Sequence, residues 1–206
     1  FGDTSVAGEI AHRQDEPLQI DDVELLFAAM PQQLANAGLR PELDGISQMQ
    51  VFEPGAVAQG FVLSDTTQAQ MTFTHIFGPT LGSDNLVVLA EVGGVWIHDM
   101  PDPDELRLNG PGTGRSGGKA GNEAIIQSVH AGPETNPFPT DHAWGYRLVA
   151  KADFNNVFAG INMSSRAVFS HDVDGITPDP MFLFTEGQKS VGLSVDFDYQ
   201  NRWAAS

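Results

Sequence analysis

The 206-residue sequence contains no cysteine, few basic residues and no long apolar run. The absence of cysteine excludes disulfide scaffolds, thiolate zinc sites and cysteine nucleophiles. Only 10 lysines and arginines oppose 27 aspartates and glutamates, so no basic stripe exists to neutralise phosphates and no nucleic-acid partner is expected. No stretch approaches the roughly 18 consecutive apolar residues of a membrane helix, so the sequence predicts no membrane-spanning helix.

The acidic residues that are present are concentrated in three stretches of the chain. The formal net charge is −17, but a chain with 41% hydrophobic residues is too apolar to be an acidic disordered tail. Residues 14–56, 99–142 and 172–187 are rich in proline, glycine, aspartate and asparagine, and they hold 19 of the 27 acidic residues but only 4 of the 10 basic ones. We predict that these stretches are long acidic outer loops.

Apolar and polar residues alternate with period two between the loops, which is typical of β-strands with two different faces. All 13 prolines lie outside the alternating segments, as expected because proline cannot donate a hydrogen bond to a sheet. The pattern continues through Asp65–Gln68, which favours one long strand there over a hairpin, whereas Asn155-Asn156 is predicted to be a tight turn. The predicted strands span residues 4–13, 57–77, 85–98, 143–154, 157–171 and 189–199, and Trp203 is predicted to begin another.

The length and composition of these strands favour a membrane barrel. Several run for about 12–20 residues, whereas strands of globular proteins have a mode of about 5–6, and a transmembrane strand needs roughly 9–11. Long and short connections alternate along the chain, as in membrane barrels. We therefore predict an all-β fold, an antiparallel transmembrane β-barrel. Residues 1–206 would form about seven strands of this single domain, with further strands of the barrel missing at both ends.

The two faces of the strands predict two sets of functional residues. Charged side chains on the polar face would line a wet lumen and set the field that a solute meets. These predicted lumen residues are Glu9, Arg13, Glu91, Arg147, Lys151, Asp153, Arg166, Asp196 and Asp198. Aromatic residues on the apolar face would form girdles at the membrane–water interfaces. These predicted girdle residues are Phe73, Phe77, Trp96, Trp144, Tyr146, Phe154, Phe169, Phe197 and Tyr199.

Two groups of possible metal ligands occur near the predicted outer strand ends. Asp99, Asp102, Asp104 and Glu105 form the densest acidic cluster, and carboxylates at this density suit loosely bound Ca²⁺, although the calcium-loop pattern D-x-[DN]-x-[DN]-G is absent. Four histidines, at positions 12, 98, 142 and 171, could converge on a transition metal. The alternative is that they are interfacial amphipathic side chains, and no resident cofactor is expected.

One helix is predicted near residues 21–37, within the first loop. Asp21 or Asp22 can cap its start, Gly38 can end it, and Pro31 is expected to divide it. An apolar stripe along this helix leaves two placements open. The helix could fold into the mouth of the barrel and constrict it, or it could pack over the rim among the other loops.

Several blocks of the sequence resemble one bacterial family. They are FGDTSVAGEIAHRQDEPLQID, TTQAQMTFTHIFGPTLGSDNLVVLAEVG, DELRLNGPGT, and FSHDVDGITPDP followed by EGQKSVGLSVDFDYQNRWAAS. The family is a large proteobacterial outer-membrane group catalogued as a domain of unknown function (DUF1302), whose members resemble porins. The resemblance implies a bacterial outer-membrane location, with membrane lipid and lipopolysaccharide as partners, and a role in the passage of small solutes, including hydrophobic ones. It transfers no catalytic residue, so no enzyme is expected.

The leading hypothesis is thus an outer-membrane, porin-like channel that could form a homo-oligomer. One alternative is a structural barrel without an open pore. Another is a soluble, acidic β-sandwich that acts as a binding module, since a half-buried strand of a sandwich also alternates.

Overall fold

The computed structural model describes residues 3–49, 55–111, 138–199 and 203–205. Within these residues the regular structure is mostly β. The seven strands are β1 (Thr4–Gln19), β2 (Phe61–Thr80), β3 (Ser83–Ile97), β4 (His142–Phe158), β5 (Ile161–Asp174), β6 (Lys189–Tyr199) and β7 (Trp203–Ala205). Two helices, α1 (Asp22–Ala29) and α2 (Pro31–Asn36), and a 3₁₀ turn (Pro41–Leu43) follow β1.

The seven strands form one sheet in chain order, and every neighbouring pair is antiparallel. This sheet is curled into a half-barrel. The predicted all-β antiparallel architecture is confirmed. So are the single long strand β2, which runs through Asp65–Gln68 without a turn, and the further strand that begins at Trp203. The part of the predicted loop 99–142 that covers residues 112–137 lies outside the described residues.

The prediction that all prolines lie outside the strands is wrong at two positions. β1 continues to Gln19 and contains Pro17, and β2 continues to Thr80 and contains Pro79. Both prolines lie at irregularities of the sheet: Pro17 directly follows the register shift between Arg13 and Glu16, and Pro79 lies where the register between β2 and β3 shifts. The alternation does not predict the last part of β1, because a bulge between Arg13 and Glu16 breaks the period-two pattern.

The predicted turn at Asn155-Asn156 is also wrong. The register shifts between Phe154 and Phe158, and β4 continues through this irregular stretch. The hairpin turns at Ala159-Gly160, where both residues have positive φ. Asn156 has a positive φ too, and its side chain accepts a hydrogen bond from the backbone N–H of Gly160. Asn156 therefore stabilises the hairpin through this hydrogen bond, although it lies outside the two-residue turn.

The predicted helical segment is confirmed, including its division at Pro31. The side chain of Asp21 accepts a hydrogen bond from the N–H of Val23 and caps α1, while Pro31 occupies the first turn of α2. Gly38 follows α2 with a φ of 71°. Proline lacks the N–H needed inside a helix but fits its first turn, so one predicted helix becomes two. In the described residues no helix is long and apolar enough to cross a membrane.

The two faces of the sheet differ sharply in composition. One row of residues that are opposite one another in the register crosses six strands on the apolar face: Val6, Phe73, Ala90, Leu148, Phe169 and Val191. The adjacent row on the polar face is Ala7, Thr72, Glu91, Arg147, Ser170 and Ser190. The large side chains of the apolar face are exposed, as Ile10 at 78% and Leu193 at 79% illustrate. The sheet therefore presents an uncovered apolar surface.

The buried apolar residues lie instead at the loop end of the sheet, in a structure that we call the loop cap, formed by residues 18–49, 98–111, 138–141 and 175–188. Leu18, Ile20, Ile97 and Leu108 form one buried cluster, while Phe27, Leu43 and Ile46 form another beneath the helices. Three segments of the cap are joined by a ring of backbone hydrogen bonds. In this ring the N–H of Gln19 donates to Asp179, that of Asp179 to Asn109 and that of Asn109 to Gln19.

Candidate pore-lining site

The register brings the predicted lumen charges onto one face of the half-barrel. Glu91 on β3 lies opposite Arg147 on β4, so an acid and a base face each other directly. The Thr72 hydroxyl of β2 donates a hydrogen bond to the Glu91 carboxylate at 3.2 Å. One row nearer the loop cap, Glu9 lies opposite Gln70. Acidic side chains of β1 and β3 thus flank polar side chains of β2.

A second group of charges lies farther from the loop cap on the same face. Lys151 is directly opposite Arg166, which places two positive charges side by side. The Lys151 ammonium is 2.9 Å from Asp153 Oδ1, and the Ser164 hydroxyl donates to the same oxygen at 2.5 Å. Asp196 lies opposite Ser164. The basic pair is therefore bordered by two carboxylates, Asp153 and Asp196.

The last two predicted lumen residues, Arg13 and Asp198, lie near opposite ends of this face. Asp198 is opposite Asn162. Arg13 Nη1 is 3.8 Å from a Glu16 carboxylate oxygen, which also accepts the Thr66 hydroxyl at 2.5 Å. Glu16 was not among the predicted lumen residues, because the bulge after Arg13 returns it to the polar face out of phase with the alternation. Only the structure reveals that shift.

A cavity of about 270 Å³ lies against the polar face at the end near the loop cap. Two residues of the cap, Leu183 and Phe184, line it together with strand residues Glu9, Ala11, Gln68, Ala69, Gln70, Glu91, Gly93, Gly94, Tyr146, Arg147 and Asp172. The segment that reaches over the polar face is therefore 183–184. The helices pack among the other cap segments, where Phe27 contacts Leu43 and Ile46. Neither α1 nor α2 contributes a residue to the lining of this cavity.

The ring of Phe184 rests on a pair of glycines, Gly93 and Gly145, that are opposite each other in β3 and β4. A Cβ atom at Gly145 would lie only 3.1 Å from Phe184 Cδ1, and one at Gly93 would lie 3.9 Å from Phe184 Cζ. The absence of side chains at both positions lets the phenylalanine approach the sheet. Sequence reasoning missed this contact, although two glycines on the polar face of adjacent strands were a readable signal.

The backbone around Phe184 is held by a small hydrogen-bond network. The Thr177 hydroxyl, which is buried, accepts the N–H groups of Leu183 at 2.8 Å and Phe184 at 3.0 Å. The N–H of Thr177 in turn donates to the Phe184 carbonyl at 3.1 Å. The Asp172 carboxylate accepts the N–H of Thr185 at 3.0 Å. These bonds fix the segment to the end of β5.

The predicted girdle residues are distributed over several rows of the apolar face. Trp96 and Trp144 lie at the end of β3 and β4 nearest the loop cap, and Tyr146 follows one row further along. Phe73 lies opposite Ala90 and Phe169 opposite Leu148, in the row described above. At the other end, Phe154 and Phe197 flank Met163, Tyr199 pairs with Ile161 and Trp203, and Phe77 occupies the register shift of β2.

The histidines near the loop cap are partly brought together. The Thr67 hydroxyl lies 3.1 Å from His12 Nδ1 and 2.9 Å from His98 Nε2. His142 contacts Asp141 and Asp174 instead, and His171 packs edge-on against Tyr146. Of the described residues, no group of three or more histidines and carboxylates has the geometry of a metal site.

The acidic cluster proposed for Ca²⁺ forms a turn. The Asp102 carboxylate accepts the N–H of Asp104 at 2.8 Å, and the Asp102 carbonyl accepts that of Glu105 at 2.8 Å. Asp99 has a φ of 57°. Hydrogen bonds of this kind are what aspartate commonly provides in turns.

One carboxyl group of the loop cap has an unusual environment. Asp21 is completely buried; its Oδ1 accepts the N–H of Val23 at 3.1 Å, and its Oδ2 has no hydrogen-bond partner in the described part of the chain. Burial disfavours the charged form and raises the pKa of Asp21 to about 7.

Comparison with known proteins gives one match. No curated protein and no solved structure is significantly similar to the chain. A family model described as "Protein of unknown function (DUF1302)" matches residues 1–206. Because this match covers the whole chain, the protein belongs to the DUF1302 family.

Proposed function

We propose that this protein is a porin-like channel of the bacterial outer membrane, with its apolar face against lipid and its polar face lining a passage for small solutes. The observation that supports it best is the contrast between the faces. The apolar side chains that cover the sheet are exposed, whereas the opposite face carries the charged residues and the cavity. A soluble protein rarely exposes an apolar surface of this extent unless something covers it.

The loop cap supports the same proposal. Long connections gather at one end of the sheet and short turns lie at the other, such as Leu81-Gly82 between β2 and β3. Outer-membrane barrels show this asymmetry. A soluble β-sandwich would require a second sheet packed on the apolar face, and the described residues form a single sheet.

The first test measures heat-modifiable migration and ion conductance. We expect the full-length protein, purified in detergent, to migrate differently before and after heating and to conduct ions across planar bilayers. A monodisperse monomer without detergent would contradict the proposal in favour of the soluble module.

The second test assigns the lumen face. The double substitution Arg147→Glu and Lys151→Glu should shift the reversal potential in a salt gradient toward cation selectivity, because both residues lie on the polar face. Lys189→Glu is the matched control, since Lys189 lies opposite His171 on the apolar face. Equal reversal potentials in the double variant and the control would contradict the lumen assignment.

A structural barrel without an open pore is the second candidate, and the position of Leu183 and Phe184 over the polar face favours it. This function predicts heat-modifiable migration and membrane insertion with no conductance. Single-channel recording therefore separates the two candidates.

A further inference from the structure

The cavity beneath the loop cap combines two features that the proposed pore does not itself require. One is an aromatic ring held over an otherwise polar face, and the other is an excess of carboxylates around it. We propose that Phe184 and the surrounding carboxylates form a binding site for organic cations, that is, solutes that join an ammonium or guanidinium group to an apolar part. This inference rests on the proposed function in that the site lies on the surface assigned to the lumen.

The charge of the lining selects for cations. Glu9, Glu91 and Asp172 contribute three carboxylates to the cavity, against the single guanidinium of Arg147. Glu91 and Arg147 face each other across β3 and β4 and offset one another. Glu9 and Asp172 then leave two negative charges at the cavity wall. An anionic solute would meet a repulsive field there, whereas a cation would be attracted.

Phe184 favours solutes that carry an apolar group next to the cationic group. Its ring is half-buried and lines the cavity, and it lies against the paired glycines of β3 and β4. An aromatic ring attracts an organic cation both through its negative face and through apolar contact. A small inorganic cation gains only the first of these, so the site should distinguish the two.

The site is also held in place. The buried hydroxyl of Thr177 and the carboxylate of Asp172 accept hydrogen bonds from the backbone N–H groups of residues 183–185. The segment that carries the Phe184 ring is therefore fixed by hydrogen bonds. Phe182, two residues before Phe184, is 64% exposed and does not line the cavity. The chain thus offers a matched control two residues from the proposed contact.

The binding test uses benzyltrimethylammonium, an aromatic cation, as the probe. Two compounds serve for comparison: tetramethylammonium, which has the charge without the ring, and benzoate, which has the ring with the opposite charge. Titration calorimetry on the full-length protein in detergent should give at least about tenfold tighter binding of benzyltrimethylammonium than of either comparison compound. Phe184→Ala should weaken that binding about tenfold, and Phe182→Ala should leave it unchanged. Benzoate binding as tightly as the probe, or equal affinities in the two phenylalanine variants, would overturn the proposal.

Glu9→Gln keeps the inference testable if Phe184→Ala does not fold. Glu9 lines the cavity opposite the neutral Gln70, and the amide has the size of the carboxylate, so the substitution removes one of the two cation-attracting charges. We expect a several-fold loss of affinity for benzyltrimethylammonium; an unchanged affinity would overturn the assignment of the cation-attracting charge.

Recording in planar bilayers separates this inference from the proposed function. Selective binding without conductance would support the cation site and contradict the open channel. Conductance that benzyltrimethylammonium blocks no better than tetramethylammonium would support the channel and overturn the site.

Discussion

The sheet and the loop cap use apolar residues in opposite ways. In the loop cap Leu18 and Leu108 are 0% and 1% exposed, as in the core of a soluble protein. On the apolar face of the sheet, Ile10 and Leu193 are 78% and 79% exposed although they too are large aliphatic residues. The cap is thus stabilised by its own core, whereas the sheet depends on whatever covers its outer face. If that cover is lipid, the two regions should respond differently to the same kind of substitution.

The largest expected effect is on the core of the cap. Leu108→Ala removes a fully buried side chain and should destabilise the cap by about 2–5 kcal/mol. Amide hydrogen exchange of the full-length protein in detergent would measure this as faster exchange in the cap. Leu193→Ala is the matched control on the sheet, where no cavity forms. Similar acceleration of cap exchange in both variants would break the contrast between the regions.

The next effect concerns charge on the apolar face. Leu193→Arg should destabilise the barrel in lipid vesicles by about 2–4 kcal/mol if this residue lies near the bilayer midplane. Ser190→Arg is the control on the same strand, because residue 190 lies on the polar face opposite the uncharged Ser170. Urea unfolding in vesicles measures both. Equal losses of unfolding free energy would argue against lipid on the apolar face.

The third prediction concerns the pH dependence of the stability of the loop cap. Asp21 has an ordinary pKa of 3.8 in the unfolded chain and about 7 in the folded cap. Between these values the unfolded state has lost a proton that the folded state keeps, so the stability of the cap should fall as pH rises from about 4 to 7, and level off above. The change should be on the order of a few kcal/mol at most.

Asp21→Asn should remove that slope, because asparagine still caps α1 but does not titrate. Hydrogen exchange of the cap at several pH values would measure it, with Asp104→Asn as the control, since Asp104 is exposed and lies on another segment of the cap. Wild-type cap stability that does not change across this range would contradict the burial argument.

The smallest effect is expected on the surface of the cap. Arg40 is hydrogen-bonded to Glu42 and lowers the pKa of that carboxyl, but both side chains are more than half exposed. Exposed ion pairs contribute little to stability because water screens them. Arg40→Ala should leave the exchange rates of the cap unchanged, and a large acceleration would show that this part of the cap is less solvated than the structure indicates.

The sequence predicted the regular parts of this fold because they follow one rule, the alternation of two faces. It therefore identified the strands, their antiparallel order and the residues that share the polar face. It failed where a local irregularity changes the phase: the bulge before Glu16 hid six residues of β1, and the irregular stretch after Phe154 displaced a turn. The contact between Phe184 and the glycine pair depends on how a loop folds back, which no periodicity encodes.

The ring of hydrogen bonds that links Gln19, Asn109 and Asp179 has a consequence for the order of folding. Each strand of the sheet contacts only its neighbours in the chain, so hairpins can be added one after another. The ring instead joins positions separated by 90 and 70 residues of chain, and it cannot close until β5 has been placed. Because a long chain segment must be closed before such contacts are gained, we expect the cap to form late. Closure of the hydrogen-bond ring would then indicate that strands β1 to β5 have formed.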